Sequence, residues 1–120
     1  MTEEQVALAR RAVACKGWRW MPGMRWQTSD DHGRLDDFQP EYMWCPDISL
    51  PDLADAATRG CVLALVREAW GDPGMFVRPR GSKMRPDWAV FTGQNSDLVC
   101  AASKEVEALV AALEDAPCGR

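Results

Sequence analysis

No stretch of this chain comes near the roughly 18 consecutive apolar residues that a membrane-spanning helix needs. The N-terminus opens on Thr2, Glu3 and Glu4 rather than on a basic and then apolar leader. A cytoplasmic location, with no membrane partner, is the expectation that follows. His32 is the single histidine, no two cysteines stand in Cys-x-x-Cys spacing, and the nearest pair, Cys45 and Cys61, are sixteen residues apart. Paired ligands of the kind zinc requires are therefore missing, and neither a metal nor another cofactor is expected. The chain also lacks Gly-x-Gly-x-x-Gly and Gly-x-x-x-x-Gly-Lys-Ser/Thr; Arg80-Gly81-Ser82-Lys83 shares residue types with the latter without its strand-to-helix setting. Asp30, Asp31, Asp36 and Asp37 do not have calcium-loop spacing. A cysteine nucleophile would need His32, which sits in an apparent turn among Asp30, Asp31 and Gly33. A non-enzymatic protein is expected.

What is present is enough for one core. The 120 residues are 47% hydrophobic and 27% charged, with six tryptophans, far from the composition of a disordered chain. A single domain over 1–120 is expected, burying about two-thirds of its unfolded surface. The odd number of widely spaced cysteines reads as reduced thiols packed as small hydrophobes. Net charge is −4, unevenly spread. Arg10 to Thr28 holds five bases and no acid, Asp30 to Asp55 holds eight acids against Arg34, and Arg78, Arg80, Lys83 and Arg85 form a compact basic group. Segregation of this kind guides a partner, unless opposite patches neutralise each other across the fold.

Local rules place three helices. Thr2 and Gln5 have capping-box spacing ahead of a helix from about Glu3 to Cys15, whose apolar line is Val6, Ala9 and Val13. Asp55, or Asp52, caps a second helix to residue 70, with Cys61, Val62, Leu65, Val66 and Ala69 on its buried face and Gly71 and Pro73 ending it. Ser103 caps a third, to about residue 115, carrying Val106, Leu109, Val110 and Leu113. Strands are expected near Met24–Thr28 and Arg34–Phe38 around an Asp30–Gly33 turn, then at Met75–Val77 and Trp88–Thr92, with a short one at Leu98–Ala101. Gln39 to Leu53, with three prolines, reads as an irregular loop with room for a short strand, and Arg78 to Arg85 as a basic loop. The fold class is α+β, a small antiparallel sheet of four to five strands packed with three helices over about 3–15, 55–70 and 103–115.

Two surfaces suit recognition. The first would meet a protein partner through the acidic segment, Asp30, Asp31, Asp36 and Asp37 with Tyr42 and Trp44, on one side, or through the basic group Arg78, Arg80, Lys83 and Arg85 on another. The acidic segment also has the charge to imitate nucleic acid. The alternative is Trp18, Arg19, Trp20 and Arg25, aromatic faces interleaved with guanidinium groups, which is the chemistry of single-stranded nucleic-acid binding. The same tryptophans equally suit a core with only three phenylalanines and one tyrosine, and overall acidity weighs against nucleic acid.

Three segments carry a family mark: Gly17-Trp18-Arg19-Trp20-Met21-Pro22-Gly23-Met24; Leu50-Pro51-Asp52-Leu53 leading to Gly60-Cys61-Val62-Leu63-Ala64-Leu65-Val66-Arg67-Glu68-Ala69-Trp70-Gly71; and Glu105-Val106-Glu107-Ala108-Leu109-Val110-Ala111-Ala112-Leu113-Glu114. In these the chain resembles small uncharacterised proteins encoded by bacteriophages and prophages, over about half its length. It departs from them in the acidic, Pro-rich middle and the basic Arg78 to Arg85 stretch. The resemblance implies a compact inhibitor in the host cytoplasm that binds a bacterial protein or complex stoichiometrically, an anti-CRISPR or another evader of host defence.

Overall fold

A computed structural model describes residues 2–28, 31–35, 49–81, 84 and 86–117. The expected Gln39–Leu53 loop, up to Ile48, and the far end of the Arg34–Phe38 strand lie outside those residues. The order is α1 (Glu3–Val13), β1 (Arg25–Gln27), β2 (His32–Arg34), β3 (Leu50–Pro51), α2 (Ala56–Trp70), β4 (Phe76–Gly81), β5 (Pro86–Phe91), β6 (Leu98–Ala102) and α3 (Glu105–Glu114). The protein is α+β, and its described residues form three helices and two three-stranded antiparallel sheets, ordered β2-β1-β3 and β4-β5-β6.

The strands divide into two sheets rather than joining in one. A period-two pattern shows that a segment is extended but does not name its neighbour. The return strand of the first hairpin begins directly after Asp31, inside the expected Asp30–Gly33 turn: His32 lies on β2, opposite Gln27, and Gly33 faces Trp26. A Cβ on Gly33 would fall 2.9 Å from the Trp26 ring, so the indole needs a glycine beneath it. The second hairpin is longer than expected, because β4 continues through Arg78 and Arg80 to Gly81. Pro79 is tolerated because β4 is an edge strand.

The helices follow their local signals closely. Thr2 closes the anticipated capping box with Gln5. Gly71 ends α2 in the left-handed conformation (φ 64°) that glycine adopts without strain. α3 differs: its N-cap is Lys104, with no side-chain cap bond, and the Ser103 hydroxyl donates to Glu107 Oε2 at 3.4 Å instead.

One buried cluster runs through all three helices, and α3 lies at its centre. Ala108, Leu109, Val110, Ala112 and Leu113 are all fully buried, so α3 is apolar around most of its girth rather than along one stripe. It touches α1, α2 and all three strands of the second sheet. Three polar ties fix it there. Trp70 Nε1 donates to the Ala112 carbonyl at 2.8 Å, Cys100 Sγ donates to the Ala108 carbonyl at 3.1 Å, and Arg11 grips both carboxylate oxygens of Glu114 at 2.6 and 3.2 Å.

The start of α2 is fastened to the first sheet by a clasp around Asp55. Its Oδ2 accepts from the Thr58 amide at 3.0 Å and hydroxyl at 2.9 Å. Thr58 is fully buried, and its Oγ1 accepts from the Arg25 amide at 2.8 Å. Arg34 of β2 meets both Asp55 oxygens at 2.8 Å and also donates to the Gly23 carbonyl at 2.7 Å. The Arg34 guanidinium, with the two bonds from Thr58, holds the Asp55 carboxyl well below the usual carboxylate range. Because the folded value is depressed, the unfolded chain binds more protons on acidification. This stabilisation is complete above the ordinary carboxylate pKa of 3.8 and is lost as pH falls towards the depressed folded value. Asp55→Ala is expected to cost about 2 kcal/mol, a cap of about 1 plus a half-exposed ion pair of up to about 1. Chemical denaturation at pH 7 and at pH 3 checks this: the gap between wild type and variant should narrow at the lower pH.

Candidate functional site

Register in the second hairpin decides what its outer face displays. Phe76 pairs with Phe91, Val77 with Val90, Arg78 with Ala89, Pro79 with Trp88 and Arg80 with Asp87. Directly opposed residues share a face and faces alternate along a strand. Val77, Val90 and Trp88 join the core that holds α3. Phe76, Arg78 and Arg80, with Phe91, Ala89 and Asp87, therefore point the other way. On that outer face the Phe76 and Phe91 rings stack, centroids 5.3 Å apart and planes 21° from parallel. The Arg78 guanidinium lies over both, its Cζ 4.7 Å from the Phe91 centroid and 5.8 Å from that of Phe76. Beside them Leu98, paired with Phe91, is 51% exposed. Arg80 Nη2 meets Asp87 Oδ2 at 3.2 Å, and the other oxygen, Oδ1, is buried with no hydrogen-bond partner among the described residues. In the connection beyond β4, Met84 is 90% exposed.

Five of the nine arginines among the described residues have carboxylate partners. Arg11 meets Glu114, Arg19 meets Glu68, Arg25 meets Asp52, Arg34 meets Asp55 and Arg80 meets Asp87. Arg78 forms no ion pair among the described residues and rests on aromatic rings instead. A cation held this way gains about 0.5–1 kcal/mol at an exposed site. Its charge stays available to a ligand.

The Trp18–Arg25 segment is arranged differently. Trp18 and Trp20 meet edge to face, centroids 5.5 Å apart at 86°, and both are half-buried against the core. Arg19 Nη2 lies 2.7 Å from Glu68 Oε2, and this contact lowers the Glu68 carboxyl below its ordinary value. Arg25 Nε lies 3.4 Å from Asp52, and its Nη2 lies 3.3 Å from His32 Nδ1, which accepts because guanidinium only donates. Among the acidic candidates, Asp31 is exposed and its Oδ1 accepts from the His32 amide at 2.8 Å. Asp30, Asp36, Asp37, Tyr42, Trp44, Lys83 and Arg85 lie outside the described residues.

Burial raises the pKa of Cys15 and Cys61 and pushes that of Cys100 up to about 11, aided by the Asp115 charge. Among the described residues no group of three or more His, Cys, Asp or Glu side chains is placed to hold a metal ion. None of their helices is long and apolar enough to cross a membrane. A groove of about 630 Å³ runs between α1, β3 and the start of α3, with Leu8, Pro51, Leu53, Trp88 and Val106 among its apolar walls and charges of both signs on its rim. No site residue singled out in the sequence lines it. Segments far apart in the chain build it, Trp88 of β5 and Arg59 of α2 among them, so no local pattern announces it. The aromatic platform had a local signal, the alternation Phe76-x-Arg78-x-Arg80, which the reading as a basic loop passed over.

No family model, curated protein or solved structure matches this chain.

If Arg78 serves recognition rather than folding, its removal should leave the protein standing. Arg78→Ala is expected to lower stability by no more than about 1 kcal/mol, whereas Phe91→Ala, which removes a ring that is only 7% exposed, costs about 3. Thermal denaturation of the two variants separates them.

Proposed function

We propose that this chain is a non-enzymatic protein-binding module that engages its partner through the outer face of the β4-β5-β6 sheet. The observation that carries this reading is the Arg78 guanidinium laid over the stacked Phe76 and Phe91 rings without a carboxylate of its own. Arginine and aromatic side chains dominate the energetics of protein interfaces, and an arginine already held in place gives up little further freedom on binding. The adjoining Leu98, half-exposed, adds an apolar contact. The resemblance of the Gly17–Met24, Leu50–Gly71 and Glu105–Glu114 segments to phage-encoded proteins suggests the setting: the partner is a bacterial host protein or complex, bound stoichiometrically and blocked, as an anti-CRISPR or other anti-defence inhibitor would do. Nucleic acid is the weaker reading, because a phosphate at Trp18–Arg25 would have to displace Glu68 from Arg19 and Asp52 from Arg25.

Capture from a bacterial lysate on the immobilised full chain, followed by light scattering of the reconstituted complex, tests this. A protein held in a fixed stoichiometric ratio is expected, with the ratio unchanged by nuclease. Recovery of nucleic acid alone, or of no macromolecule, contradicts it.

A further inference from the structure

The charge of the second hairpin is opposite to that of the chain that carries it. Between Phe76 and Phe91 stand Arg78, Arg80, Lys83 and Arg85 against the single acid Asp87, in a protein whose net charge is −4. The remainder of the molecule is therefore acidic, and the basic residues of β4 project from the side of the sheet that faces away from α3. We infer that the surface recognised by this face is an acidic patch on a protein, with a carboxylate of that patch seated on Arg78. The inference rests on the reading of the chain as a protein-binding module and names the chemistry of its partner.

Three observations lead to a carboxylate. Arg78 is exposed and unpaired among the described residues, so a ligand carboxylate replaces water rather than an existing ion pair. Guanidinium is weakly hydrated and forks to match a planar carboxylate, while the two rings below limit how far it turns. The Arg80 guanidinium next to it, held by Asp87 Oδ2, offers further donors, and Leu98 stands half-exposed beside the rings. A polypeptide supplies a carboxylate and an apolar side chain together. A phosphate backbone supplies charge alone. The net acidity of the rest of the chain also favours orientations that bring an approaching acidic surface to the hairpin.

The probe is poly-L-glutamate, with poly-L-lysine and a single-stranded oligonucleotide as comparisons, titrated into the isotopically labelled full chain and followed by amide chemical shifts. Poly-L-glutamate is expected to shift the amides of 76–81, 86–91 and 98, to bind at least tenfold more weakly in about 0.5 M salt than in about 0.05 M, and to lose at least tenfold in affinity with Arg78→Glu. Arg78→Gln keeps the side-chain stem and should lose most of that affinity while its melting temperature falls by no more than about 5 °C, which separates lost binding from lost fold. Three results overturn the inference: shifts confined to 18–25, strongest with the oligonucleotide; poly-L-glutamate shifts that survive Arg78→Gln; or a host protein captured in fixed ratio whose binding ignores both Arg78 variants, which leaves the module reading intact. Hairpin shifts that depend on Arg78 uphold carboxylate recognition at this face, while a lysate capture that returns nothing counts against the module reading alone.

Discussion

Helix α3 is enclosed by α1, by α2 and by the inner face of the second sheet, and this enclosure governs how the remaining elements are placed. A ten-residue helix with Ala108, Leu109, Val110, Ala112 and Leu113 fully buried cannot be stable alone, since so much apolar surface needs neighbours on several sides. Val77, Val90 and Trp88 meet that need from the sheet and Val62, Leu65, Val66 and Ala69 from α2. The alanines let the neighbouring backbones approach. A strand that turns one face to α3 must turn the other away, which is why Phe76, Arg78 and Phe91 come together on the outside. The recognition surface is thus the reverse side of the core.

The first sheet is secured by a different physics. Its strands hold three, three and two residues, too few ladder bonds to persist unaided. Trp26 supplies the apolar anchor by lying over Gly33, and the Asp55 clasp supplies the polar one by joining the Gly23 turn, β1, β2 and the first turn of α2 through Arg34 and Thr58. Two acids of the segment that the sequence marks as acidic, Asp52 and Asp55, are engaged in this framework with Arg25 and Arg34. They hold the fold together rather than projecting their charge to a partner.

What was legible in the sequence was what local chemistry specifies. Thr2 with Gln5, and Asp55 with Gly71, marked the ends of α1 and α2 because a cap acts on amides three residues away. The α+β class and the presence of three helices followed from periodicity. Ser103 misled by one residue, since its hydroxyl has a competing partner in Glu107 one turn on. The division into two sheets was not legible, because alternation does not encode pairing, and neither was the length of β4, whose Pro79 and basic residues resemble a loop. Ion pairs were beyond reach for a related reason. Arg19 and Glu68 are 49 positions apart, and Arg11 and Glu114 are 103 apart. A sequence therefore shows clustered charge without showing which charges are already satisfied. Of the proposed contacts, Arg78 and Arg80 came to lie on one face, whereas Trp18, Arg19, Trp20 and Arg25 came to lie in a half-buried, carboxylate-paired stretch.

The enclosure of α3 is tested most directly by native-state amide hydrogen exchange across the whole chain. The slowest amides should be those of 108–113 together with Ala89, Val90 and Phe91 of the central strand, exchanging only through global unfolding, while α1 and the first sheet open at lower free energy. If the α3 amides instead exchange as fast as those of α1, the helix is not the centre of the structure, and the outer face of the second sheet loses the rigid backing on which its role depends.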